Sequence, residues 1–206
     1  MPDKVIEIKR QHGVATVRMM SGDVLKVPSA LYLERKLHVN QPLDPEEYRL
    51  FMMQRGYPHA LEAAMKFLAL RERSEQEIVS RLRRSRFDEA AIQKVVETLN
   101  LHELVSDESF AEQWVHSRSR KYGKNRIAQE LRRKGVSGEE AQAALDAVPE
   151  EEEYRRCLEQ AKKLLRKFQS DLKKIAQSLT RKGYSWTMAR RAAEEALMEE
   201  GESRFP

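Results

Sequence analysis

Apolar and polar positions change their period once along the chain. Val5-Ile6-Glu7-Ile8-Lys9-Arg10 alternates, Gly13 interrupts, and Val14-Ala15-Thr16-Val17-Arg18-Met19 forms a second β-prone run. Ser21-Gly22-Asp23 is a turn signal, and Val24-Leu25-Lys26-Val27 follows it. Period-two runs separated by turn residues predict a small antiparallel hairpin or three-stranded meander, with strand confined to about residues 4–27. Pro28 is expected to end it, because proline donates nothing to a ladder. Ser29 is then expected to cap a short helix to about Leu37, and Asp44-Pro45-Glu46-Glu47 to start another.

From His59 onward the period is helical, and the pattern repeats. Three segments align without gaps: Ile78 to Phe87, Ile127 to Val136 and Ile175 to Tyr184. Each places Ile and Leu four apart on one helix face and ends in an apolar residue five positions after the Leu. The leucines Leu82, Leu131 and Leu179 are offset by 49 and 48 residues, a spacing that marks tandem repeats. Leu61, Phe110 and Leu158 align upstream, as do Leu68, Ser117 and Leu165. Ile92, Ala141 and Ala189 align downstream, followed by Leu99, Val148 and Ala196. Each unit therefore reads as three helices. The acidic run Glu150 to Glu153 reads as a favourable first helical turn. Ser74 with Glu77, and Ser137 with Glu140, have capping-box spacing. Gly135 and Gly183 fall where a left-handed C-terminal cap is needed, while the first unit has Arg86 there, so its turn must differ or be strained.

The fold class predicted is mainly α: tandem three-helix-bundle repeats forming an elongated curved array, with a small N-terminal β-hairpin or meander. Residues 1–54 are expected to hold the strands and short helices, and residues 55–105, 106–149 and 150–206 the three repeats.

Composition narrows the function. The chain has 206 residues, with 38 Lys and Arg against 33 Asp and Glu, for a net charge of +5. One cysteine, Cys157, permits no internal disulfide, which fits a reducing compartment. Met1 to Lys9 has no apolar core of a signal peptide, and no stretch approaches the ~20 apolar residues of a membrane span. A cytoplasmic location and no membrane partner are expected. The five histidines lie neither three nor four residues from one another or from Cys157, so no metal is expected. No phosphate-cradling glycine loop or dinucleotide fingerprint occurs, and neither a catalytic residue nor a cofactor is expected.

The positive signal is local charge. Arg118, Arg120, Lys121, Lys124, Arg126, Arg132, Arg133 and Lys134 share a stretch whose one acid is Glu130. Lys162, Lys163, Arg166 and Lys167 form a second cluster in mid-helix. These twelve are the candidate nucleic-acid or filament contacts, since clustered bases are the electrostatic footprint of a polyanion binder. Bases at the ends of the second helices (Arg83, Arg84, Arg132, Arg133, Arg181 and Lys182) are equally explained by the negative helix terminus. Phe110 and Trp114 read as core, Tyr122 as a ring able to stack on a base, and Trp186 as exposed.

Several segments carry a resemblance. They are Leu68-Ala69-Leu70-Arg71-Glu72-Arg73-Ser74, the Asp-x-x-Phe-Ala segment Asp107 to Ala111, Arg118-Ser119-Arg120-Lys121-Tyr122-Gly123-Lys124-Asn125-Arg126-Ile127, and Leu131-Arg132-Arg133-Lys134-Gly135. In these the chain resembles the RecX regulatory proteins, which restrain the bacterial recombinase RecA. The resemblance implies tandem three-helix repeats and a non-catalytic protein. Such a protein binds in the groove of the RecA–single-stranded DNA filament and inhibits its ATPase, strand-exchange and coprotease activities. It also implies a role in recombination, DNA repair and the SOS response. Weak, non-specific binding to single-stranded DNA is expected, with double-stranded DNA left open, and a monomer. Two other classes remain: a helix-turn-helix DNA-binding protein, which needs one base-reading helix rather than three diverged turns, and a protein–protein scaffold that touches no nucleic acid.

Overall fold

A computed structural model describes residues 3–202. The N-terminal unit begins with three antiparallel strands, β1 (Asp3–Gln11), β2 (Val14–Met19) and β3 (Val24–Pro28). A two-residue strand, β4 (Pro42–Leu43), pairs with β1 and completes the order β3-β2-β1-β4. Strand is thus not confined to residues 4–27. The pairing of β4 involves two residues, too few to leave a period in the sequence. Pro28 is the last residue of β3, opposite Val14, and ends the strand as expected. Helix α1 (Ser29–Glu34) starts on Ser29 itself and has Pro28 as its uncapped N-cap, so Ser29 is no cap, and the helix stops short of Leu37. Alternate residues Val5, Ala15, Val17, Met19, Leu25 and Val27 point inward and are buried, as a half-covered sheet requires.

Helix α2 (Pro45–Leu68) opens as its sequence dictates: the Asp44 carboxylate accepts from the backbone N–H groups of Glu46 and Glu47, and Pro45 fills the first position. It passes through Pro58 without ending and crosses the division expected between residues 54 and 55. Sheet and first repeat therefore share a helix, and their side chains form one core. The first repeat is completed by α3 (Glu75–Arg84) and α4 (Glu89–Leu101). Chain contacts divide the molecule into residues 1–106 and 107–206.

The second unit holds two further repeats. One is α5 (Asp107–Arg118), α6 (Lys124–Arg133) and α7 (Gly138–Asp146), with Phe110, Val115, Ile127, Leu131 and Leu145 in its core. The other is α8 (Glu150–Lys167), α9 (Leu172–Arg181) and α10 (Trp186–Glu202), closed on Cys157, Ala161, Leu165, Ile175, Leu179 and Tyr184. Burial pushes the Cys157 thiol up to about 12, which leaves it an inert packing group.

The repeated motif has one geometric cause. In each repeat the second helix is ten residues long and ends in the same double hydrogen bond. Phe87, Val136 and Tyr184 donate their N–H groups to the carbonyls of Leu82, Leu131 and Leu179 at 3.3, 3.2 and 3.3 Å. One residue earlier, Arg86, Gly135 and Gly183 donate to Arg83, Arg132 and Thr180. This is the Schellman closure, in which the intervening residue must be left-handed. The φ angles are 81° at Gly135, 99° at Gly183 and 67° at Arg86, so the first repeat holds an arginine in the strained region. Ser137 and Glu140 form a reciprocal capping box, and Ser74 accepts from the N–H of Glu77.

Candidate nucleic-acid interface

The twelve candidate bases divide by what they touch. Arg118, at the end of α5, donates from Nε and Nη2 to the two carboxylate oxygens of Glu130 at 2.7 and 2.8 Å. Glu130 also accepts from Trp114 Nε1 at 3.2 Å and from Arg126 Nε at 3.4 Å. The Arg118 guanidinium beside it holds the Glu130 carboxyl below the usual carboxylate range. Tyr122 is half-buried, with the guanidinium groups of Arg118 and Arg126 at 4.6 and 3.9 Å from its ring centre. Lys134 covers Trp114 at 4.1 Å.

Lys124 ties the second repeat to the third. Its backbone N–H donates to Glu153 Oε1 at 2.8 Å, and its ammonium to the Val148 carbonyl at 2.7 Å. Gly123, the N-cap of α6, has no side chain to satisfy that helix start. Glu153, buried in the first turn of α8, does so from the neighbouring repeat. The backbones also meet directly: Gly123 N–H donates to the Lys182 carbonyl at 3.0 Å, and Asn125 N–H to that of Gly183 at 3.2 Å. A Cβ on Gly123 would lie 2.5 Å from three backbone atoms of Gly183 and Tyr184.

The other bases face solvent. Arg120 and Lys121 stand in the turn after α5, and Arg132 and Arg133 in the last turn of α6. Lys162, Lys163, Arg166 and Lys167 line the exposed second half of α8, where Lys162 pairs with Glu199 and Lys167 rests over Phe168. Within the described residues, Arg120, Lys121, Arg132, Arg133, Lys163 and Arg166 have no acidic partner.

One concavity gathers part of this charge. A groove of about 490 Å³ lies between α6 and the end of α9, with Arg126, Arg133 and Arg181 on its walls. Asn125 and Gln129 line it too, two turns and one turn before Arg133 respectively on the same face of α6. Its one acid, Glu130, is neutralised by Arg118 from outside. Arg181, Asn125 and Gln129 fall outside the twelve candidates; the four-residue spacing of Asn125, Gln129 and Arg133 was the signal for them.

Tandem three-helix units with basic second-helix ends define the class: a helical repeat protein. The family description "RecX, first three-helix domain" matches residues 60–99, and "RecX, second three-helix domain" matches residues 106–145. The chain is 37% identical over 152 residues to the regulatory protein RecX of Amycolatopsis mediterranei, covering 70% of this chain and 87% of that one. It is 30% identical over 165 residues to the regulatory protein RecX of Oceanobacillus iheyensis, covering 77% and 61%. A crystal structure of a regulatory protein RecX matches with a TM-score of 0.64 at 20% identity, over 93% of this chain and 99% of that chain. That of RecX from Lactobacillus salivarius matches with 0.64 at 24% identity, over 69% and 97%. The chain belongs to the RecX family. Among the described residues, no helix is long and apolar enough to cross a membrane.

Proposed function

We propose that this chain is a non-catalytic regulator that binds the filament RecA forms on single-stranded DNA. There it slows ATP hydrolysis, strand exchange and coprotease action, and so modulates recombination, DNA repair and the SOS response. It works in the cytoplasm as a monomer and without a cofactor. Its own contacts with DNA are weak and carry no sequence preference, as phosphate contacts do. The observation that carries this reading, beside family membership, is the groove between α6 and α9. Arg133 and Arg181 there have no acidic partner within the described residues, and the repeats that flank the groove are fastened backbone to backbone. A fixed cationic groove suits a polyanionic filament, because its charges are in place before binding.

Successive repeats meet successive RecA protomers in this account. Holding neighbouring protomers together opposes the rearrangements that accompany nucleotide turnover. Linked contacts add through effective concentration, so each one is modest. Arg120, Lys121, Arg132, Lys163 and Arg166 supply further contacts, whereas Arg118, Lys124, Arg126 and Lys134 act first as framework.

The test is association, by interferometry, with RecA filaments assembled on immobilised single-stranded DNA. The parent chain binds, and the double variant Arg133→Glu, Arg181→Glu binds at least about tenfold more weakly with its fold intact. A parent chain that does not associate contradicts the function. A folded double variant that binds like the parent contradicts the groove.

A further inference from the structure

The first repeat departs from the other two at Arg86, where the others have Gly135 and Gly183. Glycine fits this left-handed turn without strain, so the arginine occupies it at a backbone cost. Arg86 is exposed and, within the described residues, has no acidic partner. It stands on the rim of a groove of about 380 Å³ formed by β3, α1, α2 and the turn between α3 and α4. Its open apolar surface comes from Val24, Met52 and Met53, above the buried Leu25, Leu31 and Phe87. Lys26 and Arg49 share the rim with Arg86, and Met53 lies open on it at 61% exposure. The one acid, Asp88, is committed to capping α4 through the N–H of Ala91 at 2.8 Å. Arg49 pairs with Glu46, while Lys26 has no acidic partner within the described residues.

We propose that this groove docks a segment of a partner protein in which apolar side chains are flanked by carboxylates. Val24, Met52 and Met53 provide aliphatic and thioether surface, and methionines adapt to differently shaped apolar groups. The rim provides cations placed to meet carboxylates at the edge of that surface. A nucleic-acid strand would satisfy the rim and leave Val24 and Met53 uncovered, which favours a peptide. The site lies wholly within residues 1–106 and involves none of the groups that form the groove between α6 and α9. It stands or falls apart from the filament-binding reading.

Selection of phage-displayed random dodecapeptides on the full chain tests it, followed by fluorescence anisotropy of the enriched peptides. The expected winners combine Asp or Glu with Leu, Ile, Phe or Met. Their affinity drops at least about tenfold on Arg86→Gly, which removes a charged contact. Because Arg86→Gly relieves the turn, that loss is not one of folding. Lys26→Glu weakens the same peptides, and Arg166→Glu on α8 leaves them unchanged. Four results overturn the proposal: no enrichment over an albumin-coated surface, winners without acidic residues, winners indifferent to Arg86→Gly, or displacement of the peptide by an oligothymidylate strand. A concentration-dependent dimer in sedimentation that Arg86→Gly dissolves also overturns it, since the occupant is then a second copy of this chain.

Discussion

Replacing Gly123 by Ala isolates the contact between the second and third repeats. The backbone at Gly123 has φ −78°, a conformation any residue adopts, so only space is at issue. The new Cβ would sit 2.5 Å from the carbonyl carbon and oxygen of Gly183 and the nitrogen of Tyr184. An ordinary contact needs ~3.5 Å, so the two backbones must part by about 1 Å. Parting them stretches the hydrogen bonds from Gly123 to Lys182, from Asn125 to Gly183 and from Lys124 to Glu153, now 3.0, 3.2 and 2.8 Å. Two neutral bonds at ~1 kcal/mol each and one to a carboxylate at ~1.5–3 kcal/mol set an upper bound of about 5 kcal/mol. Strain without opening costs ~1–3 kcal/mol, and the chain takes the cheaper course. Where space exists, Gly→Ala instead stabilises by ~0.4–1 kcal/mol, so the sign itself is diagnostic. Urea unfolding should show a loss of about 1–3 kcal/mol, and hydrogen exchange should show faster exchange of the Lys124 and Asn125 amides. Gly138→Ala, which meets nothing within 4 Å, is the control and should be neutral or stabilising. A Gly123→Ala chain as stable as the parent, with both amides still protected, refutes this account of the junction.

Leu131→Ala, at a fully buried position, should cost ~2–5 kcal/mol in urea unfolding; a loss within ~0.5 kcal/mol would place the residue outside the core. Glu130→Gln should cost ~1.5–3 kcal/mol, because Arg118 loses its carboxylate partner. The depressed folded-state value of Glu130 gives a stability contribution present in full above the unfolded value near 4.5 and lost as pH falls through the folded value. The parent should therefore lose this contribution below about pH 4.5, with a flatter acid limb in Glu130→Gln, and identical limbs would contradict the pairing. Arg86→Gly should stabilise by up to ~1 kcal/mol, as relief of strain exceeds the added chain entropy; marked destabilisation would show that the side chain packs. Binding to oligothymidylate should weaken with salt at a log–log slope near ~−3.5 for about five phosphate contacts, and salt-independent binding would contradict an electrostatic contact.

The repeats were legible because each Schellman closure needs an apolar residue five positions after the leucine, and this leaves Phe87, Val136 and Tyr184 in register. The same reasoning placed Gly135 and Gly183 at left-handed turns. It did not show that Gly183 also lies against Gly123, since a local cap already accounted for it. Gly56 and Pro58 look like breakers, yet α2 runs through them, and Gly56 leaves room for Asp88 at the start of α4. Charge counting located the basic clusters but not their partners. Arg118 and Glu130 stand on different helices, and no spacing rule joins them. The burial of Glu153 beneath Lys124 was hidden in an acidic run that reads as an ordinary first turn.

The central claim is regulation of the RecA filament, and the rate of ATP hydrolysis on single-stranded DNA reads it most directly. Titrating the chain into RecA, single-stranded DNA and ATP should suppress hydrolysis at less than one molecule per RecA protomer. A folded variant with Arg120, Lys121, Arg133 and Arg181 all changed to Glu should need a much higher concentration for the same effect. Hydrolysis that continues at the uninhibited rate with the parent chain at equimolar RecA would contradict the account.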